Sequence, residues 1–179
     1  MRVVVDTNIL VSALLSGASL PAHLIFLWRD GVFDLLTSDA QLDELMRVTR
    51  YPRIRERLPP SLAGRLINEL RELAVLIGDL PTVTASPDPD DNYLLATASP
   101  GSADFLVTGD KRDLLPLARF DGTKIATVRE FLVLTAIAIT DRSEKGVITQ
   151  LVSPEAPVRI TSRISRVYFA RARCLEQAR

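Results

Sequence analysis

The sequence predicts an α/β protein, a three-layer α/β/α sandwich around a central, mostly parallel sheet. Three observations carry this. Short strand-like runs alternate with stretches of helical spacing, and the period switches about five times along the chain. The first run, ending Val3-Val4-Val5, is apolar on both faces, as a central parallel strand must be. Acidic residues, Asp6 and Asp110, follow directly on strand-like runs, at the edge where such sheets open a crevice.

Arg2 to Val5 is too short for a helix core and rich in β-branched residues, so it reads as a strand. Asp6-Thr7-Asn8 stops it, and Ile9 to Leu15 reads as a helix ending before Gly17. Pro21 starts a second helix through Trp28, Gly31 breaks it, and Phe33 to Thr37 gives a second strand. Ser38 with Gln41 three residues on matches a capping box for the helix that carries Glu44. Tyr51-Pro52 and Pro59-Pro60 bracket a short link, after which Leu62, Leu66, Leu70, Leu73 and Ala74 recur at helical spacing. Val75 to Ile77 is a brief strand. Ala85 to Asp91 is a loop entering a helix with acids in its first turn, where the helix dipole favours them. Phe105 to Thr108 is a strand, Lys111 to Ala118 a short helix, Lys124 to Val128 a strand, and Arg129 onward the last clear helix.

A chain of 179 residues with 47% hydrophobic residues has room for one ordinary core. The expected organisation is a domain over 1–140 and a basic extension over 141–179, with Val158 to Ile164 extended and Val167 to Ala178 helical. The 22 basic and 22 acidic side chains cancel, but the extension holds eight basic against four acidic ones, leaving the first part mildly acidic. One cysteine, Cys174, excludes an internal disulfide and a thiolate zinc cluster, and one histidine, His23, excludes the usual imidazole sites. A reduced, cytoplasmic setting without a membrane anchor fits, because the chain enters a strand at once and its longest apolar run, Phe131 to Ile139, is about half a membrane span.

Asp6, Glu44, Asp91 and Asp110 all fall at element ends or first turns that the predicted topology brings to one sheet edge. Carboxylates gathered there cannot stay ionised together without a counter-charge, and hard divalent cations are the usual one. Each acid also has an ordinary reading: Asp6 as a helix cap, Glu44 as a surface helix residue, Asp91 as a dipole partner and Asp110 as a turn residue. Together they point to one or two Mg²⁺ or Mn²⁺ ions and a phosphodiester substrate, chemistry that needs no protein general base.

Four segments carry a more specific likeness: Val3 to Leu15 with Asp6-Thr7-Asn8, Leu42 to Leu45 with Glu44, Asp88-Pro89-Asp90-Asp91-Asn92-Tyr93 running to Ala98, and Ala103 to Leu115 with Thr108-Gly109-Asp110. Together they make the chain, over about residues 1 to 135, resemble bacterial PIN-domain proteins, most of all the branch of toxin components akin to VapC toxins. The resemblance implies a Mg²⁺- or Mn²⁺-dependent endoribonuclease acting on RNA, often a homodimer and often inhibited by a cognate antitoxin protein. Its metal cluster falls on Asp6, Glu44, Asp91 and Asp110, with support from Asn8, Thr108, Asp113 and Asp90. It also implies products with a 5′-phosphate and a 3′-hydroxyl.

Arg47, Arg50, Arg53, Arg55 and Arg57, with Glu56 as their only acidic companion, form the best candidate patch for an RNA backbone. Tyr51 and Tyr93 are candidates to stack on bases, and Trp28 to fill a buried or oligomer-facing ridge. A phosphatase of the haloacid dehalogenase kind needs a second Asp where Asn8 stands, which discounts it. A flap nuclease needs helices for which the length leaves little room. The alternative of a different class is a non-catalytic RNA-binding or protein-interaction module on the same fold.

Overall fold

The computed structural model describes residues 1–142. Residues Met1–Leu134 form one compact unit. The expected extended and helical segments beyond residue 142 lie outside the described residues.

β1 (Arg2–Val5) sits inside a six-stranded sheet. It pairs in parallel with β2 (Asp34–Thr37) on one side, and β3 (Val75–Leu76) extends that side in parallel. On the other side β1 pairs in parallel with β4 (Phe105–Val107), which pairs in parallel with β6 (Thr123–Ala126). β5 (Arg119–Phe120) closes that edge antiparallel to β6. The chain therefore leaves β1 toward β2 and returns on its opposite flank as β4, and the crevice of such a sheet opens where the order reverses.

Side chains of β1 alternate between the two faces, as strand geometry requires. Val3 and Val5, with Leu35 and Val107, face a core filled by Leu10, Leu24, Trp28, Leu42, Leu66, Leu70 and Phe131. Val4, with Leu36, Leu106 and Ile125, faces the other way, onto Leu94, Leu95 and Ala98. These side chains come from α1 (Thr7–Leu15), α2 (Leu20–Arg29), α3 (Asp39–Val48), α5 (Pro60–Leu73), α6 (Asn92–Ala98) and α7 (Val128–Arg142), while α4 (Pro52–Arg55) is one short turn with no buried residue. Helices thus cover both faces, the expected three-layer α/β/α sandwich, and fully burying each leucine contributes about 1.5–3 kcal/mol. Trp28 is in the core, which removes it as a platform for bases. No single helix among the described residues is long and apolar enough to cross a membrane.

Three elements differ from expectation. The Ser38 hydroxyl caps α3 by accepting from Gln41 N–H, but Gln41 does not reach back to complete a capping box. Its buried amide instead donates to Val5 C=O at 2.6 Å and accepts from the Thr37 hydroxyl at 2.9 Å, tying α3 to the ends of β1 and β2. A complete box occurs at α7, where Thr127 and Glu130 exchange bonds. The helix expected over Lys111 to Ala118 is a run of turns ending in a 3₁₀ turn at Leu115–Leu117. The Asp110 carboxylate accepts from the N–H groups of Arg112, Asp113 and Leu114, an arrangement that competes with helix formation, and Ala118 takes φ +55°. Finally, β5 and β6 form a hairpin absent from the sequence reading. Its signal is Asp121-Gly122, a dipeptide suited to a tight turn with both φ values positive, here 44° and 84°.

Candidate active site

The β1–β4 register pairs Val5 with Val107, so the next residues, Asp6 and Thr108, emerge side by side at the sheet edge. Asp6 N–H donates to Val107 C=O at 2.9 Å. The Asp6 side chain is 2% exposed and held at both oxygens: Oδ1 accepts from Asn8 N–H at 2.8 Å and Oδ2 from the Thr108 hydroxyl at 2.5 Å. Burial raises its pKa, the two hydrogen bonds act the other way, and the charge of Asp110 raises it further. The Thr108 hydroxyl also accepts from Asp110 N–H at 3.0 Å, linking the two strand-end acids through one side chain. At Asp110 partial burial acts to raise the pKa, but the N–H groups of Arg112, Leu114 and Asp113 and the charge of Arg112 outweigh it, and the net shift is downward.

Asp91 is in the opposite condition. It ends a 3₁₀ turn, Pro89–Asp91, that runs straight into α6. Among the described residues its half-buried carboxylate accepts no hydrogen bond, and its pKa is pushed up to about 7 by burial and then by the charges of Asp6, Asp88, Asp110 and Asp113. The loop that carries it is fastened by Asn92, whose amide oxygen accepts from Ser86 N–H while its NH₂ donates to the carbonyls of Ser86, Asp88 and Pro89. One carboxylate oxygen each from Asp88, Asp91 and Asp113 lies within 4.8 Å of the others.

The predicted site residues are therefore only partly gathered. Asp91 and Asp113 each bring an oxygen within 4.8 Å of the other, and Asp6 and Asp110 are near enough for their charges to act on Asp91. Glu44 is in the second turn of α3, and its carboxylate is forked by Arg47 Nε and a terminal nitrogen at 2.8 Å each. It shares the edge, since Glu44, Asp6 and Asp91 all act on the Tyr93 hydroxyl, but it does not join the three clustered carboxylates. Asn8 contributes its backbone N–H, and Asp90 donates its own to Asp88 Oδ1 with its side chain exposed.

Two residues enter that the sequence reading does not single out for this edge chemistry. Asp88 reads as a loop acid and caps the 3₁₀ turn with one oxygen; the recurrence Asp88-Pro89-Asp90-Asp91 is the available signal. Tyr93 packs inward and shares a 2.9 Å hydrogen bond with the Thr7 hydroxyl. Its pKa is raised by burial above all, then by the charges of Asp6, Glu44 and Asp91, with the Thr7 bond opposing, so its hydroxyl stays neutral among the acids.

The five arginines divide. Arg47 bonds Glu44 and the Tyr51 hydroxyl and lies over the Tyr51 ring, 5.4 Å from its centroid, which occupies that ring. Arg50 and Arg55 turn toward a cleft shared with Arg71, whereas Arg53 and Arg57 are exposed and do not line it.

The donors at the acidic edge are all oxygens, matching a hard cation such as Mg²⁺ or Mn²⁺ better than zinc or copper. His23 is away from them, stacked on Phe26 and held below its ordinary pKa by burial. A carboxyl group pushed up to about 7 by burial and by neighbouring acids, with no hydrogen bond among the described residues, is the electrostatic condition a divalent cation relieves. The Asp-rich cluster is thus capable of coordinating one.

Comparison with known proteins agrees. The pattern of the PIN domain matches residues 2–112. An uncharacterized protein of Methanocaldococcus jannaschii is 27% identical over 118 residues, covering 65% of this chain and 75% of that protein. No solved structure matches the chain.

Proposed function

The chain belongs to the PIN-domain family, and from that premise we propose that it is a divalent-metal-dependent endoribonuclease, the toxin of a toxin–antitoxin pair. The observation that carries the proposal is Asp91, a carboxyl group whose ionisation is opposed by burial and by four neighbouring acids and, among the described residues, assisted by no hydrogen bond. Asp6 and Asp110 are oriented at the edge by donors of the chain itself, and Asp91 beside them is the acid left for a cation to satisfy.

In this reading Asp6, Glu44, Asp91 and Asp110 form the catalytic and metal-holding set, joined by Asp113 and Asp88, with Asn8, Thr108 and Asp90 in support. When bound, Mg²⁺ or Mn²⁺ supplies positive charge to the phosphodiester and acidity to the attacking water. The rest falls to the chain's own residues. Thr108 and the Asn8 N–H hold Asp6 in one orientation, so the deepest carboxylate needs no rearrangement. Asp91, its carboxyl pushed up to about 7 by burial and neighbouring acids, would be a ligand whose ionised form a bound cation would favour. The Tyr93 hydroxyl stays protonated and can donate to a phosphate oxygen. Arg47, fixed by Glu44 and Tyr51, presents its remaining surface to an RNA backbone at the same edge. Water adds to phosphorus and the P–O3′ bond breaks, leaving a 5′-phosphate and a 3′-hydroxyl.

The pairing with a cognate antitoxin, a homodimeric state and a cytoplasmic setting belong to the same proposal. A second reading, a binding module that keeps the fold without cleaving, is favoured by one observation: Glu44 is occupied by Arg47. Cleavage of a mixed single-stranded and structured RNA pool, with Mg²⁺, Mn²⁺ or chelator, separates the two. Metal-dependent products bearing 5′-phosphate, absent from Asp91→Asn, support the nuclease. RNA binding that ignores chelator, with no cleavage by the folded wild type, supports the module.

A further inference from the structure

Away from the acidic edge, α3, α4 and α5 enclose a cleft of about 430 Å³. Its apolar lining comes from Met46, Ala63 and Ile67, and Arg50, Arg55 and Arg71 border it with Asn68. Among the described residues none of these three arginines makes an ion pair; the pairs present are Arg29 with Glu69 and Arg47 with Glu44. Three cations converge on one cavity without an anion.

The second observation is Gly64, the single glycine inside a helix among the described residues, which also lines this cleft. Glycine is disfavoured in a helix interior more than any residue except proline, so its presence asks for a packing reason. Gly101 has one: a Cβ there would lie 2.6 Å from Leu36 Cδ1 and 2.9 Å from Thr97 C=O. Gly64 has none within the fold, since a Cβ would meet nothing within 4 Å. The helix forgoes a side chain where the neighbouring space is open, which is how a backbone admits the close approach of a ligand.

We propose that this cleft is a binding subsite for one unpaired nucleotide of single-stranded RNA, its phosphate on the arginines and its base lying over Gly64. The volume is that of a small-ligand pocket and not of the elongated groove a partner helix requires. Splayed bases are held by guanidinium planes and read at their edges by amides, and Asn68 has its side-chain amide free of hydrogen bonds among the described residues. The path is short as well: Met46 and Thr49 line the cleft from the helix that carries Glu44, and five residues of helix span about 7.5 Å. The subsite rests on the ribonuclease reading, as the place that selects which nucleotide flanks the cut.

The test is binding of a fluorescent single-stranded RNA of mixed sequence in chelator, where no cleavage intervenes. Wild type is compared with Gly64→Glu, Gly64→Ala and Arg71→Ala, each checked by thermal melting. Gly64→Glu puts bulk and negative charge into the cleft and is expected to weaken binding at least about tenfold. Gly64→Ala, adding only a methyl group, is expected to melt higher than wild type and to weaken binding less. Arg71→Ala, an exposed position that does not depend on the helix tolerating a new side chain, is expected to lower the slope of log affinity against log salt by about 0.7, the loss of one phosphate contact on a single strand. Wild-type affinity in folded Gly64→Glu, or an unchanged salt slope in Arg71→Ala, overturns the subsite even if the protein cleaves RNA. Weakened binding in folded Gly64→Glu together with the lowered salt slope in Arg71→Ala upholds it even if no metal elicits cleavage, in which case only the nuclease reading falls.

Discussion

Replacing Asp91 with Asn should make the metal-free protein more stable while destroying its activity. The Asp91 carboxyl has an ordinary value of 3.8, taken here for the unfolded chain, and a value of about 7 in the folded protein. That is roughly a thousandfold loss of acidity, and at about 1.4 kcal/mol per tenfold it corresponds to about 4 kcal/mol, an upper bound for a group shielded from water on all sides. Asp91 is half-buried, so solvent screening reduces it to about 1–2 kcal/mol. The sign follows from the direction of the shift. A carboxyl group with a raised folded pKa is compatible with the fold while protonated, so its contribution is fully present below pH 3.8 and lost as pH rises toward 7. The amide of the variant carries no charge at any pH and escapes that loss. Asp91→Asn should therefore gain about 1–2 kcal/mol over wild type at pH 8, less at pH 5, and nothing below pH 3.8. Thermal melts in EDTA should show a gain of about 3–6 °C at pH 8. Millimolar Mg²⁺ should then raise the wild-type midpoint toward the variant's and leave the variant unmoved. Equal stability of the two proteins at pH 8 in EDTA would refute the reasoning, because the Asp91 carboxylate would then carry no electrostatic penalty for a cation to relieve.

Thr108→Val removes the hydroxyl that joins Asp6 to Asp110, and should cost about 1–3 kcal/mol at pH 7 by chemical denaturation, as expected when a buried carboxylate loses a donor. Thr108→Ser should recover most of that stability, together with cleavage. Gln41→Leu leaves the Val5 carbonyl and the Thr37 hydroxyl without their buried partner and should destabilise by about 1–3 kcal/mol, again by denaturation. Arg47→Met should release Glu44 to the acidic edge; Mn²⁺ affinity measured by calorimetry should rise several-fold with the melting temperature unchanged, and a fall in Mn²⁺ affinity would mean that Arg47 positions the site instead of competing for it.

The strand-end half of the candidate site is legible in the sequence because it is local. A short apolar run fixes where a strand stops, and the residue after it is at the edge whatever the rest of the chain does; Asp6, Thr108 and Asp110 follow from that alone. The length of its helix puts Glu44 at the right edge, but its engagement with Arg47 is a side-chain matter. The i,i+3 spacing that allows it is visible, yet spacing does not decide between an ion pair and a cation. Asp88 is obscured because its visible role, capping the turn that precedes α6, already accounts for an Asp beside a Pro. Gln41 misleads for a similar reason: a capping-box pattern describes local geometry, and the buried carbonyl of Val5, 36 residues earlier, offers the amide a partner that water cannot replace. The 3₁₀ segment after Asp110 shows the converse, with one carboxylate accepting three backbone N–H groups and overriding helical periodicity.

The Thr108–Asp6 hydrogen bond closes a sequence separation of 102 residues. β1 leaves the ribosome first, yet its flank toward β4 stays open until some hundred further residues have been made. A fragment that stops short of Thr108 therefore cannot assemble the acidic edge, because the hydroxyl that holds Asp6 and meets Asp110 is still missing. The two acids that Thr108 joins are thus brought together by pairing between strands far apart in the chain, and not by any local turn.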